Sequence, residues 1–377
     1  MRVFIGRTIA TSLIGMGLSC LGTGQTVSAG ATLKPPGAGV SIIAGNLSLG
    51  PGYSGDGGAA TSAQLKRPFG VAVDQAGNVF IADSDNNVVR KVDTSGKITT
   101  VMGGLDQVVQ FPNGKIERDA SLRSTGIAVD SSGNVFVADF YNHIVLKMDA
   151  AGKVSVAAGT SQKGGYNGDY GPATKAQLLD PTGVAVDNKG NLFIADSANN
   201  VIRKVDVNGI IYTVAGNKSL TEYRGDGGPA VDAGLYYPEA VAVDKEGNLF
   251  IADSFHSAIR KVDTDGNIST LAGLSPSAPG YSFQVGGYKG DGGPATRAML
   301  DLPEGIAVND ASELFIADSG NDVVRKVDTT GRIFTIAGEH IGSRGHWDGT
   351  EGVAIDKDGN LIIAYSRKSV IEKVELK

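Results

Sequence analysis

Apolar residues along this chain alternate with polar ones or form short runs rich in Val and Ile, and glycine-containing turns separate the runs. Alternation and β-branched runs are typical of strands, whereas an amphipathic helix needs apolar residues three and four positions apart. One block of this kind, VAVDNKGNLFIADSANNVIRKVDVNGIIYTVAG, spans residues 184–216. Related blocks begin at Val71, Ile127, Val241, Ile306 and Val353. The sequence therefore predicts a repeated all-β unit.

Each block predicts four strands joined by tight turns. In the block quoted above, the first strand ends at Asp187, and residues 188–191 (NKGN) form a turn in which glycine can take a positive φ. The second strand is predicted over residues 192–195, the third over 201–205 and the fourth over 210–215. Four such strands make an antiparallel meander, and radial repetition of meanders gives a β-propeller.

The two ends of the chain determine the number of blades. The copy that begins at Val353 stops at Lys377 after its third strand, and residues 40–45 (VSIIAG) supply a fourth strand without the first three. We therefore predict a six-bladed β-propeller of four-stranded antiparallel blades, in which the N-terminal strand closes the last blade and no sheet edge is left between the ends. The blades are expected near residues 71–103, 127–159, 184–216, 241–273, 306–338 and 353–377 plus 40–45.

Composition and charge exclude several classes of protein. Glycine accounts for 54 of the 377 residues, but proline for only 13, and hydrophobic residues reach 41%. No Gly-x-y period occurs, so collagen, linker and low-complexity chains are excluded. The 34 basic and 40 acidic residues give a formal net charge of −6. No nucleic-acid partner is expected, because such proteins usually present a basic surface.

The first 29 residues have the features of a secretory signal peptide. Two arginines form a basic start, residues 9–21 are mostly apolar, and residues 27–29 (VSA) are small enough for cleavage after residue 29. The apolar segment is too short for a comfortable membrane span. We therefore predict that residues 30–377 form a secreted or periplasmic protein, a monomer with no stable membrane span. Cys20, the only cysteine, lies in the predicted leader, so the mature chain should lack thiol chemistry.

The blocks IADSDNNVVRKVD, IADSANNVIRKVD and IADSGNDVVRKVD, each after a P-x-G-V/I-A-V element, resemble NHL repeats. The resemblance extends over residues 40–377 and implies a six-bladed propeller like those of secreted bacterial members of the family. That family includes amidating lyases, RNA-binding and protein-binding scaffolds, and many secreted bacterial proteins without an assigned role. The resemblance therefore specifies the fold and leaves the function open.

Strand order indicates which end of the propeller carries the ligand. In an antiparallel blade the first-to-second and third-to-fourth turns lie at one end, and the second-to-third connections and blade-to-blade loops lie at the other. The first end has only short hairpins, whereas the second carries long loops such as residues 104–125, 217–238 and 274–303. We expect binding at the second end, because variable loops on a rigid scaffold usually carry function.

The residue between Pro and Gly in the P-x-G element opens the innermost strand, so six corresponding residues converge on the mouth of the central channel. Round the ring they are Phe69, Thr125, Thr182, Glu239, Glu304 and Glu351. The first three are predicted ligand-binding residues, together with an aromatic rim at the same end that suits a planar or sugar ligand. That rim consists of Phe140, Tyr141, Phe255 and Trp347.

Three of the mouth residues, Glu239, Glu304 and Glu351, are glutamates on consecutive blades. Carboxylates within a few ångströms of one another bind a hard cation such as Ca²⁺ or share a proton, and the alternative is that they hydrate the mouth or pair with Lys and Arg. The resemblance implies zinc-binding histidines here in NHL lyases, and a glutamate that helps to hold a divalent ion in gluconolactonase-like propellers. No histidine occupies any of the six positions, so a zinc-lyase mechanism is not carried over. Calcium or another divalent cation is the cofactor to consider.

Histidines provide further candidates for catalysis. His256 is placed in a second-to-third connection and His346 in the loop before the last blade. With Glu304 and Glu351 they are the candidate catalytic residues, because imidazole and carboxylate groups can exchange protons near neutral pH. The alternative is that the histidines are exposed and have no catalytic role. No Ser-His-Asp arrangement, nucleotide loop or zinc signature is present.

Two further motifs recur from blade to blade. A Tyr-x-Gly-Asp loop precedes four blades and starts at Tyr53, Tyr166, Tyr223 and Tyr288. The loop suits a carbohydrate or calcium platform. The alternative is a structural turn before a short helical turn, and the four near-identical copies favour this structural alternative.

The second recurring motif is an Asp followed seven residues later by an Arg. It occurs as Asp83 with Arg90, Asp196 with Arg203, Asp253 with Arg260 and Asp318 with Arg325. We predict a structural ion pair, because the last copy loses both residues together.

The sequence supports two classes of function. The first is a binding scaffold that holds a protein, peptide, glycan or small-molecule ligand at its loop-rich end. The second is an enzyme at the channel mouth, either a metal-assisted lactonase- or lyase-like catalyst or a participant in secondary metabolism such as scytonemin-type pigment biosynthesis, whose secreted NHL members this chain resembles. A metal ion among the three glutamates would favour the enzyme, whereas a filled channel and exposed aromatic residues would favour the scaffold.

Overall fold

The computed structural model describes residues 39–104, 108–110, 116–118, 124–274, 286–338 and 349–376, and these form six sheets, each built on four antiparallel strands. The predicted signal peptide (residues 1–29), His346 and Trp347 lie outside the described residues. In chain order, the four strands of blades 1 to 3 are Pro68–Val73, Val79–Asp83, Val88–Val92 and Ile98–Gly103; Ser124–Val129, Val135–Asp139, Ile144–Met148 and Val154–Gly159; and Pro181–Val186, Leu192–Asp196, Val201–Val205 and Ile211–Ala215. Those of blades 4 and 5 are Pro238–Val243, Leu249–Asp253, Ala258–Val262 and Ile268–Ala272; and Pro303–Val308, Leu314–Asp318, Val323–Val327 and Ile333–Gly338.

Blade 6 joins the two ends of the described chain. Its first three strands are Thr350–Ile355, Leu361–Tyr365 and Val370–Val374. Val40–Ala44 adds the fourth strand by pairing antiparallel with the third, Val40 opposite Val374. The first strands of consecutive blades contact one another in a closed ring, from blade 1 round to blade 6 and back. The predicted six-bladed propeller, closed by its N-terminal strand, is therefore confirmed, and the first strands line its centre.

Glycine permits the close approach of the innermost strands. A Cβ on Gly183 would lie 2.5 Å from the carbonyl oxygen of Glu239 in the next blade, and one on Gly305 would lie 2.2 Å from that of Glu351. Real Cβ atoms do not approach backbone this closely. The glycine of the P-x-G element is thus required by packing across the boundary between blades.

Hydrophobic contacts hold neighbouring blades together. In the part of the chain that the structure describes, buried apolar residues form six clusters, and each cluster combines residues of two adjacent blades. Between blades 3 and 4, for example, Phe193 and Ile202 pack with Val241 and Ile251. Both faces of each sheet are covered in this way, so the second strands are buried along their whole length. Burial of each such side chain contributes about 1.5–3 kcal/mol relative to exposure.

Blade 2 departs from the four-stranded pattern. Two additional short strands, Val108–Gln110 and Ile116–Arg118, form a hairpin that extends its sheet to six strands. The first of them pairs in parallel with the fourth strand of the blade, with Val109 opposite Val154. The hairpin covers an outer edge that would otherwise offer unpaired backbone groups.

The four Tyr-x-Gly-Asp loops run along the outside of their blades. In the loop before blade 1, Gly52 O accepts a hydrogen bond from Asn86 Nδ2 at the second-to-third connection, whereas Ala60 N donates to Gly96 O at the opposite end of the blade. Short 3-10 helices then reverse the chain at Ala60–Ser62, Ala173–Lys175, Ala230–Asp232 and Ala295–Arg297. The expectation that the long blade-to-blade loops as a group stand at the ligand-binding end is therefore corrected, because these four descend along the blade and return. Within the described ranges, no helix is long and apolar enough to cross a membrane.

Candidate functional site

A short turn after each second strand builds the mouth end of the propeller, the end where second strands finish and first strands begin. In blade 3 the turn is Ser197–Asn199, followed by Asn200 with a φ of 58°. Asp196, the last residue of the strand, accepts hydrogen bonds from Leu179 N at 2.7 Å and from the Asn199 side chain at 2.9 Å. The sequence D-S-x-N-N specifies this turn, because Asp and Asn side chains replace missing backbone hydrogen bonds.

In blades 2 to 6 the residue that ends the turn also connects its blade to the next one. Asn200 Oδ1 accepts a hydrogen bond from Tyr237 N at 2.8 Å, and His143 Nδ1 accepts one from Asp180 N at 3.2 Å. These bonds link blade 2 to blade 3 and blade 3 to blade 4. They fix the positions of adjacent blades around the channel, so the mouth end is a rigid frame on which side chains can be presented.

The six mouth residues lie at corresponding points of the first strands. Thr125 Oγ1 donates a hydrogen bond to Thr182 O, and Thr182 Oγ1 donates one to Glu239 O, both at 2.8 Å. The Phe69 ring lies near the guanidinium of Arg67, with 5.6 Å between the ring centre and Cζ. The two threonine hydroxyls therefore connect consecutive blades, and their predicted role in ligand binding stays a prediction.

The three mouth glutamates differ in their surroundings. Glu239 is 8% exposed, whereas Glu304 and Glu351 are half-buried. Glu351 Oε1 accepts a hydrogen bond from Ser366 Oγ at 2.9 Å, which directs this carboxylate toward the second-to-third connection of blade 6. Among the described residues, no group of three or more His, Cys, Asp or Glu side chains is close enough to hold a metal ion. Glu239, Glu304 and Glu351 therefore do not form a preassembled three-carboxylate ligand set, and a role for any of them in binding calcium or another divalent cation stays a prediction.

His256 is a buried residue that holds a loop to blade 4. Its side chain is 1% exposed, Nδ1 lies 2.8 Å from Asp253 Oδ2, and Nε2 lies 2.9 Å from Thr221 O. Asn199 occupies the corresponding position in blade 3 and makes the same two kinds of contact. Both ring nitrogens of His256 are thus occupied, and its side chain is not placed to contact a substrate, contrary to the expectation for a catalytic base.

Blades 2 and 4 present aromatic side chains at the mouth end. Tyr141 is 53% exposed and meets Phe140 edge to face, with ring centroids 5.3 Å apart. Phe255 is half-buried and stacks on Tyr237, with centroids 5.0 Å apart and an angle of 22° between the planes. Tyr236 packs edge-on against Phe255 at 5.0 Å. Phe140, Tyr141 and Phe255 of the predicted rim therefore lie on the mouth end.

These aromatic residues stand where other blades have small or polar ones. The two positions after the last residue of each second strand are Ser84-Asp85, Phe140-Tyr141, Ser197-Ala198, Ser254-Phe255, Ser319-Gly320 and Ser366-Arg367. In blades 3 to 5 the serine hydroxyl donates a hydrogen bond of 2.5 to 2.6 Å to a carbonyl of the next blade, namely Ser197 to Pro238, Ser254 to Pro303 and Ser319 to Thr350. Phe140 cannot make this bond, so blade 2 lacks a contact that blades 3 to 5 share.

A buried arginine fastens each Tyr-x-Gly-Asp loop to its blade. In blade 3, Arg203 Nη2 lies 2.6 Å from Asp169 Oδ1, Nη1 lies 3.3 Å from Asp196 Oδ2, and Cζ lies 5.0 Å from the centre of the Tyr166 ring. The guanidinium also donates to carbonyl oxygens on both arms of the loop. Blades 1, 4 and 5 repeat these ion pairs around Arg90, Arg260 and Arg325. The predicted structural ion pair is confirmed, and the tyrosine and aspartate side chains are engaged within the protein instead of forming a carbohydrate or calcium platform.

Burial makes three strand aspartates, Asp83, Asp196 and Asp318, harder to ionise. Burial raises the pKa of Asp83 and Asp196 to about 6 and that of Asp318 to about 7. Hydrogen bonds and the nearby guanidinium groups lower these pKa values but only partly offset the loss of hydration. Each arginine therefore has one solvent-accessible carboxylate partner in the loop and one deeply shielded partner in the strand.

Two mouth-end residues, Asp180 and Tyr237, are not among the residues predicted from sequence. Each has a φ of 50° and immediately precedes the proline that opens a first strand. Residues before proline favour extended backbone with a negative φ. The contacts of the mouth end must therefore hold Asp180 and Tyr237 at their positive φ. The sequence offered one signal that could have identified them. The residue before the repeated proline differs from blade to blade, although its neighbours are similar, and it is Arg67, Asp180, Tyr237 or Leu302.

Comparison with known proteins identifies the repeat. The sequence model of the teneurin NHL domain family matches residues 47–163, 160–224 and 220–279. Human teneurin-1 is 31% identical over 264 residues, an alignment that covers 62% of this chain and 10% of teneurin-1. The Arabidopsis thaliana protein SUPPRESSOR OF QUENCHING 1, chloroplastic, is 28% identical over 284 residues, covering 72% of this chain and 26% of that protein. This chain thus spans only a small part of the length of these relatives.

Solved structures share the fold at low sequence identity. A Bacteroides thetaiotaomicron protein of unknown function has a TM-score of 0.64 at 18% identity, over 90% of this chain and 76% of that one. An auxiliary nutrient binding protein of the same organism has a TM-score of 0.59 at 13% identity, over 89% and 76%. A streptogramin B lyase has a TM-score of 0.54 at 14% identity, over 90% and 98%. At these identities the likeness shows the propeller fold alone.

Proposed function

The chain belongs to the teneurin NHL domain family, and we propose that it is a secreted or periplasmic propeller that binds a protein, peptide or glycan at its mouth end. Residues 1–29 are its signal peptide in this proposal, and residues 30–377 form the mature protein. N-terminal sequencing of the exported protein tests the location, with Gly30 expected as the first residue. A protein that retains residues 1–29 in the cytoplasm would contradict it.

The observation that carries the binding proposal is the pair Phe140 and Tyr141. In a repeat protein, residues shared by all blades serve the fold, and departures at exposed positions are free to serve a ligand. Phe140 replaces a serine that connects blades, and Tyr141 leaves about half of its surface in water. Exposed aromatic residues on a rigid frame contribute large contact areas with little loss of side-chain entropy on binding.

The fold neighbours support a binding role without specifying a ligand. Two of them are described as auxiliary nutrient binding proteins of Bacteroides species. The identity of 13% transfers no residue to this chain. The proposal therefore depends on the aromatic residues of blades 2 and 4.

Arrays of immobilised peptides and glycans, probed with the purified propeller, test the proposed function. The variant with both Tyr141→Ala and Phe255→Ala should lose at least about ten-fold in affinity for any ligand found, since each buried aromatic contact supplies on the order of 1–2 kcal/mol. Tyr170→Ala is the matched control, because Tyr170 is 82% exposed but lies beside Ile211, at the opposite end of blade 3. No binding on either array, or equal losses in the variant and the control, would overturn the proposal.

The second candidate is an enzyme at the channel mouth, favoured by one observation. Glu351 Oε2 is buried and has no hydrogen-bond partner in the described part of the chain. In this alternative Glu304 and Glu351 act with a divalent cation in lactone hydrolysis or a lyase reaction. It predicts that calcium raises the melting temperature and that Glu304→Gln abolishes the rise. A melting temperature indifferent to both calcium and chelator would remove this candidate.

A further inference from the structure

We propose that the ligand is a neutral β-linked oligosaccharide and that it binds in a notch on blade 3. The blade 3 notch is defined by Ala198 at its base, Tyr141 and Phe255 on its two sides, and the polar groups of Asp180 and Asn200. This inference rests on the proposed binding function and names the ligand class and the sector of the mouth end that it occupies.

The notch arises from the residues at one repeated position. After the serine or phenylalanine of each turn, blades 2, 3 and 4 carry Tyr141, Ala198 and Phe255. These blades are joined to one another by the bonds from Asp180 N to His143 and from Tyr237 N to Asn200. A small side chain therefore lies between two aromatic ones on a frame that fixes their separation.

The aromatic side at blade 4 is pre-organised. Phe255 is stacked on Tyr237 and is also contacted edge-on by Tyr236. Tyr236 in turn lies against the buried His256, with ring centroids 5.9 Å apart. Phe255 and Tyr237 nevertheless remain half-buried and not fully covered. A ligand can use this surface with little loss of conformational freedom in the protein.

The polar groups of the notch suit hydroxyl groups. Asn200 Oδ1 accepts a hydrogen bond from Tyr237 N. Its amide nitrogen has no partner among the described residues and can donate to a ligand. The Asp180 side chain is 29% exposed, and its Oδ1 lies 3.2 Å from His143 Nδ1, the nitrogen that accepts the hydrogen bond from Asp180 N. A carboxylate and an amide beside aromatic rings form the donor and acceptor set that neighbouring sugar hydroxyls require.

Chemistry favours a saccharide over a peptide. Extended peptides usually add to a free strand edge. The first strands are edge strands of their sheets, but in the described residues they contact one another in a closed ring, which leaves little room for an added strand. β-Linked glucose and xylose carry equatorial hydroxyl groups and present axial C–H groups as an apolar face. That face fits an aromatic side chain, while the hydroxyl groups at the rim reach Asp180 and Asn200.

Isothermal titration with cellohexaose and xylohexaose tests the inference on the purified mature protein. Saturable binding is expected for at least one of them. Ala198→Phe should weaken that binding at least ten-fold by filling the notch, and it should fold because blades 2 and 4 carry aromatic residues at this position. Arg367→Phe is the matched control, since it adds the same ring at the corresponding position of blade 6, across the propeller, and should leave binding unchanged.

The outcomes separate this inference from the proposed function. If neither hexasaccharide binds, or if one binds equally well to wild type and Ala198→Phe, the inference is overturned. If the arrays then show a peptide or protein ligand that depends on Tyr141 and Phe255, the proposed function remains. If the arrays show no ligand of any class, both fail.

Discussion

Arg203 and Asp169, 34 residues apart in the chain, are joined by an ion pair of 2.6 Å between Nη2 and Oδ1. The same separation of 34 residues recurs in the pairs of blades 1, 4 and 5. Blade 2 has the buried Leu146 in place of the arginine, blade 6 has Glu372, and neither is preceded by a Tyr-x-Gly-Asp loop. The loop motif and the arginine are therefore two parts of one structural unit that is present or absent as a whole.

Replacement of Arg203 by Met should destabilise the propeller by about 3–5 kcal/mol, because two carboxylates and the loop carbonyls lose their shared donor. Urea unfolding measures the change. Lys204→Met, at the adjacent half-buried position, is the control and should cost less than about 1 kcal/mol. Equal losses in the two variants would show that the guanidinium contacts are not what holds the loop.

Stability should fall as pH rises from about 4 to about 7 through the contribution of Asp318. Its pKa is raised to about 7 by burial, above the ordinary 3.8, so in this window the folded protein binds more protons than the unfolded chain. The stabilising contribution is complete below the ordinary pKa and is lost as pH passes through the folded value. Unfolding free energies measured across this range should depend less steeply on pH in Asp318→Asn.

Asp328→Asn is the control for this pH dependence. Hydrogen bonds from Thr330 and Arg332 lower the pKa of Asp328, so its contribution is present above the ordinary pKa and is lost only as pH falls further. The slope between pH 4 and 7 should therefore match wild type. An unchanged slope in Asp318→Asn would contradict the assignment.

His256→Asn should be tolerated within about 1 kcal/mol, because Asn at the corresponding position of blade 3 contacts both an aspartate and a loop carbonyl. His256→Leu should cost about 2–4 kcal/mol by leaving Asp253 and Thr221 O without that partner. Thermal or denaturant unfolding measures the stability of the two variants and distinguishes the small loss from the large one. Ligand binding that disappears in His256→Asn while the fold is intact would instead give His256 a direct role at the site.

Gly183→Ala should destabilise the protein by about 1–3 kcal/mol, since the added Cβ would lie 2.5 Å from the carbonyl oxygen of Glu239 and force the two first strands apart. Gly228→Ala is the control, because its Cβ would meet the nearest atom at 3.5 Å. The midpoint of denaturant unfolding should therefore change little in the control. No loss of stability in Gly183→Ala would mean that the first strands can separate freely.

Much of the architecture could be predicted from the sequence because it depends on local patterns that repeat. The strand alternation and the glycine-containing turns predicted a strand over residues 201–205, and the structure has it at Val201–Val205. The incomplete copies at the two ends predicted closure through Val40–Ala44. The paired loss of Asp and Arg in the last copy predicted an ion pair, which the structure confirms.

The site was less predictable because its members come from different blades. In the sequence, His256 occupies a loop position that is expected to be exposed. In the structure it is buried against Asp253 and contacts Thr221 O, in the loop that connects blade 3 to blade 4. Tyr237 belongs to no repeated motif, but it lies directly on Phe255. Residue type alone does not reveal either neighbour.

The sequence by itself therefore determined the repeating blade, the number of blades and the closure, because backbone periodicity and turn chemistry act within a few residues. Only the tertiary structure decided which side chains meet. The Tyr-x-Gly-Asp loops descend along the blades to Gly96 and its counterparts, which removes them from the mouth end. The ring of blades instead places the turns that carry Tyr141, Ala198 and Phe255 at the mouth end of three consecutive blades. Such contacts depend on how adjacent blades pack, and no local pattern in the chain encodes the distance between side chains of different blades.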